Sequence, residues 1–259
     1  MVTDSSEIKK NSHMPGVDTP SVKVVNHFDR CIPISPRKYQ SHISSLYATL
    51  GKYDIDRFDV EVNPVSVITV DPSEIVDNTG RMWKPWDNRR QLVGRVMDGD
   101  WHSSDPKDVP DYAKPYPKKF TEMVEYKSFR DHFLYDEPWE NTSLYDRWMS
   151  NSRSDNNSPY SGRSDVEDRL QYMDKLFKEI KTNGYKSQLE LADKNVGYLD
   201  AILNEVNVDI SPTGEPLFVD GRHRLCIAKL LNIDKIPAFV LVRHRCWVEK
   251  SCNFSVDSQ

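Results

Sequence analysis

A chain of 259 residues is long enough to bury a sizeable core in one or two domains. Its hydrophobic fraction is low at 37%, yet 6 Trp, 12 Tyr and 9 Phe argue against global disorder, which depletes aromatics. The net charge of -5 gives no sign of a nucleic-acid partner, and no apolar run reaches the length of a membrane span or a signal-peptide core. A cytoplasmic, reduced protein without a membrane partner is the expectation.

Residues 1–21 are polar and aperiodic and read as a disordered tail, followed by an N-terminal extension over 22–61. Within the extension, helical spacing of Tyr39, Ile43, Leu46, Tyr47 and Leu50 predicts a helix over 36–50. The β-branched run 65–70 predicts a strand, ended by the turn at Asp71 and Pro72. Residues 77–163 hold Trp83, Trp86, Trp101, Trp139 and Trp148 among many Pro, Asp and Asn residues. Short helices are expected there at 120–133 and 142–149, and residues 150–163 read as a linker.

Ser164 and Glu167 have the spacing of a capping box, opening a helix whose Val166, Leu170, Met173, Phe177 and Ile180 share one face. Asn183 and Gly184 supply its left-handed stop, and a short helix follows at 187–193. Residues 206–210 and 216–219 read as a hairpin around the turn Pro212 to Gly214. Asp220 is expected to cap a buried helix over 222–231, and 236–242 is the last strand before a polar tail from 248 to 259. Cys226 falls in an apolar run and reads as a buried side chain, and the four cysteines form no CxxC pair.

The chemistry concentrates in Asp220, Gly221, Arg222, His223 and Arg224. A strand delivers the chain to a glycine turn, a helix begins at once, and three cationic donors occupy its first turn. A helix N-terminus presents free N–H groups and partial positive charge, which favours phosphate. Arginine adds a planar fork for phosphate oxygens. The alternative is that the arginines only pair with acidic groups of the body. Between Gly221 and Lys250 seven Lys or Arg residues face two acidic ones, so this segment is locally basic. Asp98 and Asp100 flank Gly99 and are candidates to hold Mg²⁺ with a nucleoside triphosphate; Asp-Gly-Asp is equally an ordinary turn sequence.

A helix ending at Gly184, a hairpin, the run from Asp220 through His223 and Arg224 to Ala228, and a closing Ile236-Pro237 together resemble the ParB/sulfiredoxin-like domain. The resemblance implies an α+β fold, a small mixed β-sheet with packed helices, built from residues 62–76 and 164–247. Residues 77–163 are then an inserted, aromatic-rich helical segment that the family pattern does not contain. It further implies nucleotide contacts at Lys186, Ser187 and Gln188, and a general base at Asp71 or Glu74 if phosphate is transferred. A turn residue and a helix cap are the plainer roles for those two carboxylates. Sulfiredoxins carry a catalytic Cys directly before the His-Arg pair, where this chain has Arg222, so that activity is not expected. The partition proteins of the class carry a helix-turn-helix module beyond this domain, and with about ten residues after Trp247 a DNA-clamp role is not expected. The leading expectation is a nucleotide- or phosphate-binding protein, with an NTP-dependent phosphotransferase or NTPase as its enzymatic form. The alternative is a non-enzymatic DNA-associated module gripping backbone phosphates.

Overall fold

The computed structural model describes residues 66–249, apart from 82–83, 88, 104–108, 110–113, 115, 155–159 and 194–195. The expected tail, the extension with its helix at 36–50, and nearly all of the polar tail lie outside the described residues.

The strands are β1 (Ser66–Val70), β2 (Arg95–Met97), β3 (Val206–Ile210), β4 (Pro216–Asp220) and β5 (Ile236–His244). They form one mixed sheet in the order β1-β5-β3-β4. β5 is the spine. Along one flank it pairs antiparallel with β1 in its first half and parallel with β2 at Val242 to His244. Along the other it pairs parallel with β3, which closes the expected antiparallel hairpin with β4.

The helices are α1 (Arg89–Leu92), α2 (Val124–Tyr135), α3 (Ser143–Ser154), α4 (Arg163–Asn183), α5 (Gln188–Leu191), α6 (Tyr198–Leu203) and α7 (Arg222–Leu230). One face of the sheet, with Val206, Val208, Ile210, Phe218, Ala238 and Val240, carries the main core. Against it pack the stripe of α4 from Val166 to Ile180 and the apolar body of α7, Cys226 included. The 77–163 segment completes this same core. Phe120, Phe129, Trp139, Leu144 and Trp148 are all buried in it, and the Phe120 and Phe218 rings meet edge to face at 4.7 Å. The opposite face, with Leu217, Val219, Phe239 and Leu241, is covered by Val93, Trp101, Ile202 and Leu203.

Two boundaries differ from the local signals. α4 begins at Arg163 with Gly162 as its cap residue, and Glu167 pairs with Arg163 one turn away at 2.6 Å. Ser164 therefore forms no capping box; instead Asp165 accepts from the Ser161 N–H at 2.8 Å. The reciprocal box occurs at Ser187 and Glu190, which open α5. α3 also runs to Ser154, into the stretch whose composition reads as linker.

β3 alternates Val206, Val208 and Ile210 with Asn207 and Asp209, the pattern of a strand with one solvated face. Every one of these residues is buried. The polar face lies under the segment that follows β1. Asp209 accepts from Thr79 Oγ1 at 2.8 Å, from Arg81 Nε at 2.6 Å and from the Val242 N–H at 3.2 Å. The Arg81 and Asp209 side chains are 2% and 0% exposed, so neither charge has water to fall back on.

Removing one partner of such a pair leaves an uncompensated buried charge, typically about 3–5 kcal/mol. We expect Asp209→Ala to lower unfolding free energy by that order in urea titration. Asp98→Ala breaks only the exposed pair with Arg245 and should leave the midpoint where it was.

Candidate phosphate site at the start of helix α7

β4 ends at Asp220, and Gly221 turns the chain with φ 88° and ψ 26°. No residue with a side chain fits there. A Cβ would lie 2.8 Å from Val206 Cα and 3.0 Å from the Glu205 carbonyl oxygen. The glycine thus serves twice, for its left-handed conformation and for the close approach of α7 to the start of β3. The first helical bond runs from Leu225 N–H to Gly221 O at 3.1 Å, and no side chain caps Gly221. The first-turn N–H groups of Arg222, His223 and Arg224 consequently have no acceptor within the helix.

Asp220 is not the cap that the sequence suggests. Its carboxylate turns away to Arg89 Nη1 at 2.8 Å, and Arg89 also donates to the Leu203 carbonyl at 2.6 Å. Positions on a helix diverge by about 100° per residue, so the three first-turn side chains leave in different directions. Arg222 donates to Glu125 Oε1 at 2.8 Å, and its guanidinium lies 4.8 Å from the Trp86 ring centre. Arg147 approaches the other Glu125 oxygen at 3.8 Å. Burial alone would raise the Glu125 carboxyl, but these two guanidinium groups outweigh it and hold it below the usual range.

His223 stacks on Phe129, with centroids 5.6 Å apart and ring planes 9° apart, and meets the edge of Trp148. Burial, together with the charges of Arg222 and Arg169, pushes its pKa down to about 3. The ring is neutral at neutral pH and brings no charge to the turn.

Arg224 is buried and held from within. Its Nε donates to the Tyr185 hydroxyl at 3.1 Å, its Nη2 donates to the Lys186 carbonyl, and its guanidinium lies over the Tyr185 ring at 4.3 Å. With the Gln188 amide oxygen facing it, Gln188 accepts from Nη1 at 3.0 Å as well. The structure therefore does bring residues 185–188 to the turn, but through Arg224. Lys186 contributes its carbonyl while its side chain is exposed, and Ser187 is spent on the capping box of α5.

The remaining expected residues lie elsewhere. Asp71 caps the 3-10 turn Pro72–Glu74, accepting from the Ser73 hydroxyl at 2.7 Å and from the Ser73 N–H at 2.8 Å, and these hydrogen bonds lower its pKa. Lys229 donates to the Pro72 carbonyl, which places Asp71 and Glu74 beside the far end of α7, roughly 10 Å along its axis from Arg222. Asp98 and Asp100 follow β2, whose Met97 pairs with His244, whereas Val206 beside Gly221 pairs with Ala238. Six residues of extended strand separate the two ends, about 20 Å. Asp98 pairs there with Arg245, so the two aspartates do not fit a metal held at the turn. Among the described residues no group of three or more His, Cys, Asp or Glu side chains is placed to hold a metal ion.

Four participants carry no local motif. Arg89, Arg147 and Arg169 are ordinary surface arginines by sequence. Glu125 had a legible signal, since it heads the helical stripe that continues at Phe129 and Phe133. Glu205 had none. It is 1% exposed, its Oε1 accepts from the Gln188 N–H, and its Oε2 has no hydrogen-bond partner. Burial raises its pKa to about 7, against the lowering effect of the Gln188 N–H and of Arg224.

Comparison with family models, with curated proteins and with solved structures returns no match to this chain.

The Glu205 carboxyl sits above its ordinary value in the fold, so the folded state binds its proton more tightly than the unfolded chain. Its contribution to stability is complete below about pH 4.5 and is lost as pH rises toward 7. His223 acts in the opposite sense, because its depressed pKa removes stability as pH falls below about 6.5. Comparing denaturation of wild type and Glu205→Gln from pH 4.5 to 8 isolates the first term. The variant should gain relative to wild type as pH rises; a difference flat across that range would place the Glu205 carboxyl outside this linkage.

Proposed function

We propose that this chain binds the phosphates of a nucleotide at the first turn of α7, as a ParB/sulfiredoxin-like domain carrying an insertion. The observation that carries the reading is the charge gathered around that uncapped helix start. Arg89, Arg147, Arg169 and Arg222 surround it, against the carboxylates of Asp220 and Glu125. Guanidinium groups in excess, half buried beside free backbone N–H groups, suit a multiply charged anion that can bridge several of them.

Two of these arginines come from α3 and α4, so the 77–163 segment and the helix after it join in forming the phosphate environment. Arg224 plays a supporting part, holding Tyr185 to Gln188 in place behind the turn. A phosphotransferase or NTPase step would in addition need a carboxylate facing the phosphate. Asp220 is engaged by Arg89 and Glu125 Oε1 by Arg222, while Glu125 Oε2 and Glu205 Oε2 each lack a hydrogen-bond partner. Mg²⁺, if required, would be carried by the phosphates of the nucleotide itself, as it commonly is.

Calorimetric titration of ATP, CTP, GTP and UTP, each with Mg²⁺, into wild type, Arg147→Gln and Arg169→Gln tests the proposal. Saturable binding of at least one nucleotide is expected, weakened about tenfold or more in each variant with melting temperature little changed. A charged hydrogen bond worth about 1.5–3 kcal/mol corresponds to that loss. Absence of nucleotide binding, with steeply salt-dependent binding of duplex DNA in its place, would favour the backbone-gripping module instead.

A further inference from the structure

Next to the α7 turn a cleft of about 470 Å³ opens between α1 and α6. Trp86, Arg89, Arg90, Gln91, Asp200 and Asn204 line it. It is continuous with the turn at two points. Arg89 lines the cleft and holds Asp220 at 2.8 Å, and Trp86 lines it with the Arg222 guanidinium 4.8 Å from its ring centre. A ligand whose phosphates lie at the start of α7 therefore has this cleft as its neighbouring space.

We infer that the cleft seats the nucleoside portion of the bound nucleotide, an inference that rests on the phosphate-binding reading above. Its volume falls in the range of small-ligand sites. Its lining suits a base and a sugar better than a second anion. The Trp86 indole offers an aromatic surface for a base, and aromatic stacking tolerates any base. Gln91 and Asn204 each carry both a donor and an acceptor, which match the mixed edges of a base. Arg90 is already neutralised by Asp200, whose carboxylate is an acceptor for sugar hydroxyls. Residues 86–91 belong to the segment absent from the ParB-like pattern, so this pocket is a feature of this chain's own insertion.

The experiment compares two probes, ATP (or whichever nucleoside triphosphate binds tightest) and inorganic tripolyphosphate, with Mg²⁺, on the full chain. The inference predicts that wild type binds the nucleotide at least tenfold tighter than tripolyphosphate. Trp86→Ala should bring the nucleotide down to the tripolyphosphate level. Because Trp86 also touches Arg222, a second variant, Asn204→Trp, fills the cleft without altering that contact. It should weaken the nucleotide equally and leave tripolyphosphate affinity within twofold. Equal affinity of wild type for the two probes, or nucleotide affinity unchanged in both variants, would overturn the inference while leaving the phosphate site standing. Failure of both probes to bind wild type would overturn the phosphate reading and this inference with it.

Discussion

The start of helix α7 lies against the main chain of Glu205 and Val206, an approach that only a residue without a side chain allows. That contact fixes where the helix begins relative to the parallel pair β3 and β5, and the surroundings follow from it. Arg224 emerges toward Tyr185 and clamps the segment that opens α5. Arg222 emerges on the other side, toward Glu125 of α2. Asp220, one residue before the glycine, is left beside Arg89 of α1. Three separate parts of the chain are tied to this turn by three charged residues at alternate positions, Asp220, Arg222 and Arg224.

On the proposed reading, internal carboxylates and the bound anion compete for the same guanidinium groups at the turn. Glu125 and Asp220 hold Arg222 and Arg89 in place, which keeps the cations ordered in the absence of ligand. They do not neutralise the surroundings, because Arg147 and Arg169 add charge without a further carboxylate pair of their own among these contacts. Burial is the main cause of the depressed pKa of His223, and the charges of Arg222 and Arg169 add to it while Glu125 opposes them. Helix dipole and unbonded N–H groups act in the same direction. A preorganised, partly desolvated set of donors gives an anion more than the same groups scattered over a surface would.

Elements governed by short-range signals were readable from the sequence. The hairpin at Pro212 to Gly214, the left-handed stop at Gly184, the apolar body of α7 and the β-branched β1 and β5 each carry their cause within a few residues. What escaped depends on groups far apart in the chain. The alternation of β3 marks a strand, but nothing near Asp209 announces that Arg81, 128 residues away, will bury with it. Asp220 has the identity of a cap, but Arg89 competes successfully for its carboxylate. The three cationic residues of the turn looked convergent in one dimension, whereas helical geometry spreads them and long-range partners engage each one. Asp71, Glu74, Asp98 and Asp100 were singled out for chemistry, and tertiary structure sets them at the far end of α7 and the far end of the sheet. The composition of the aromatic-rich segment does not say where its rings go: Phe120 and Phe133 interleave with rings of β4 and α4 in the main core, while Val93 and Trp101 cover the other face of the sheet.

The central claim is that an anion sits on the backbone N–H groups at the start of α7. Amide nitrogen and proton shifts of Gly221, Arg222, His223 and Arg224, followed by NMR during a pyrophosphate titration at constant ionic strength, test it most directly. The account predicts saturable shifts concentrated on those amides, with one common dissociation constant, accompanied by the side chains of Arg147, Arg169 and Arg222. Shifts that never saturate, or that spread evenly over exposed lysines and arginines while these amides stay still, would contradict it.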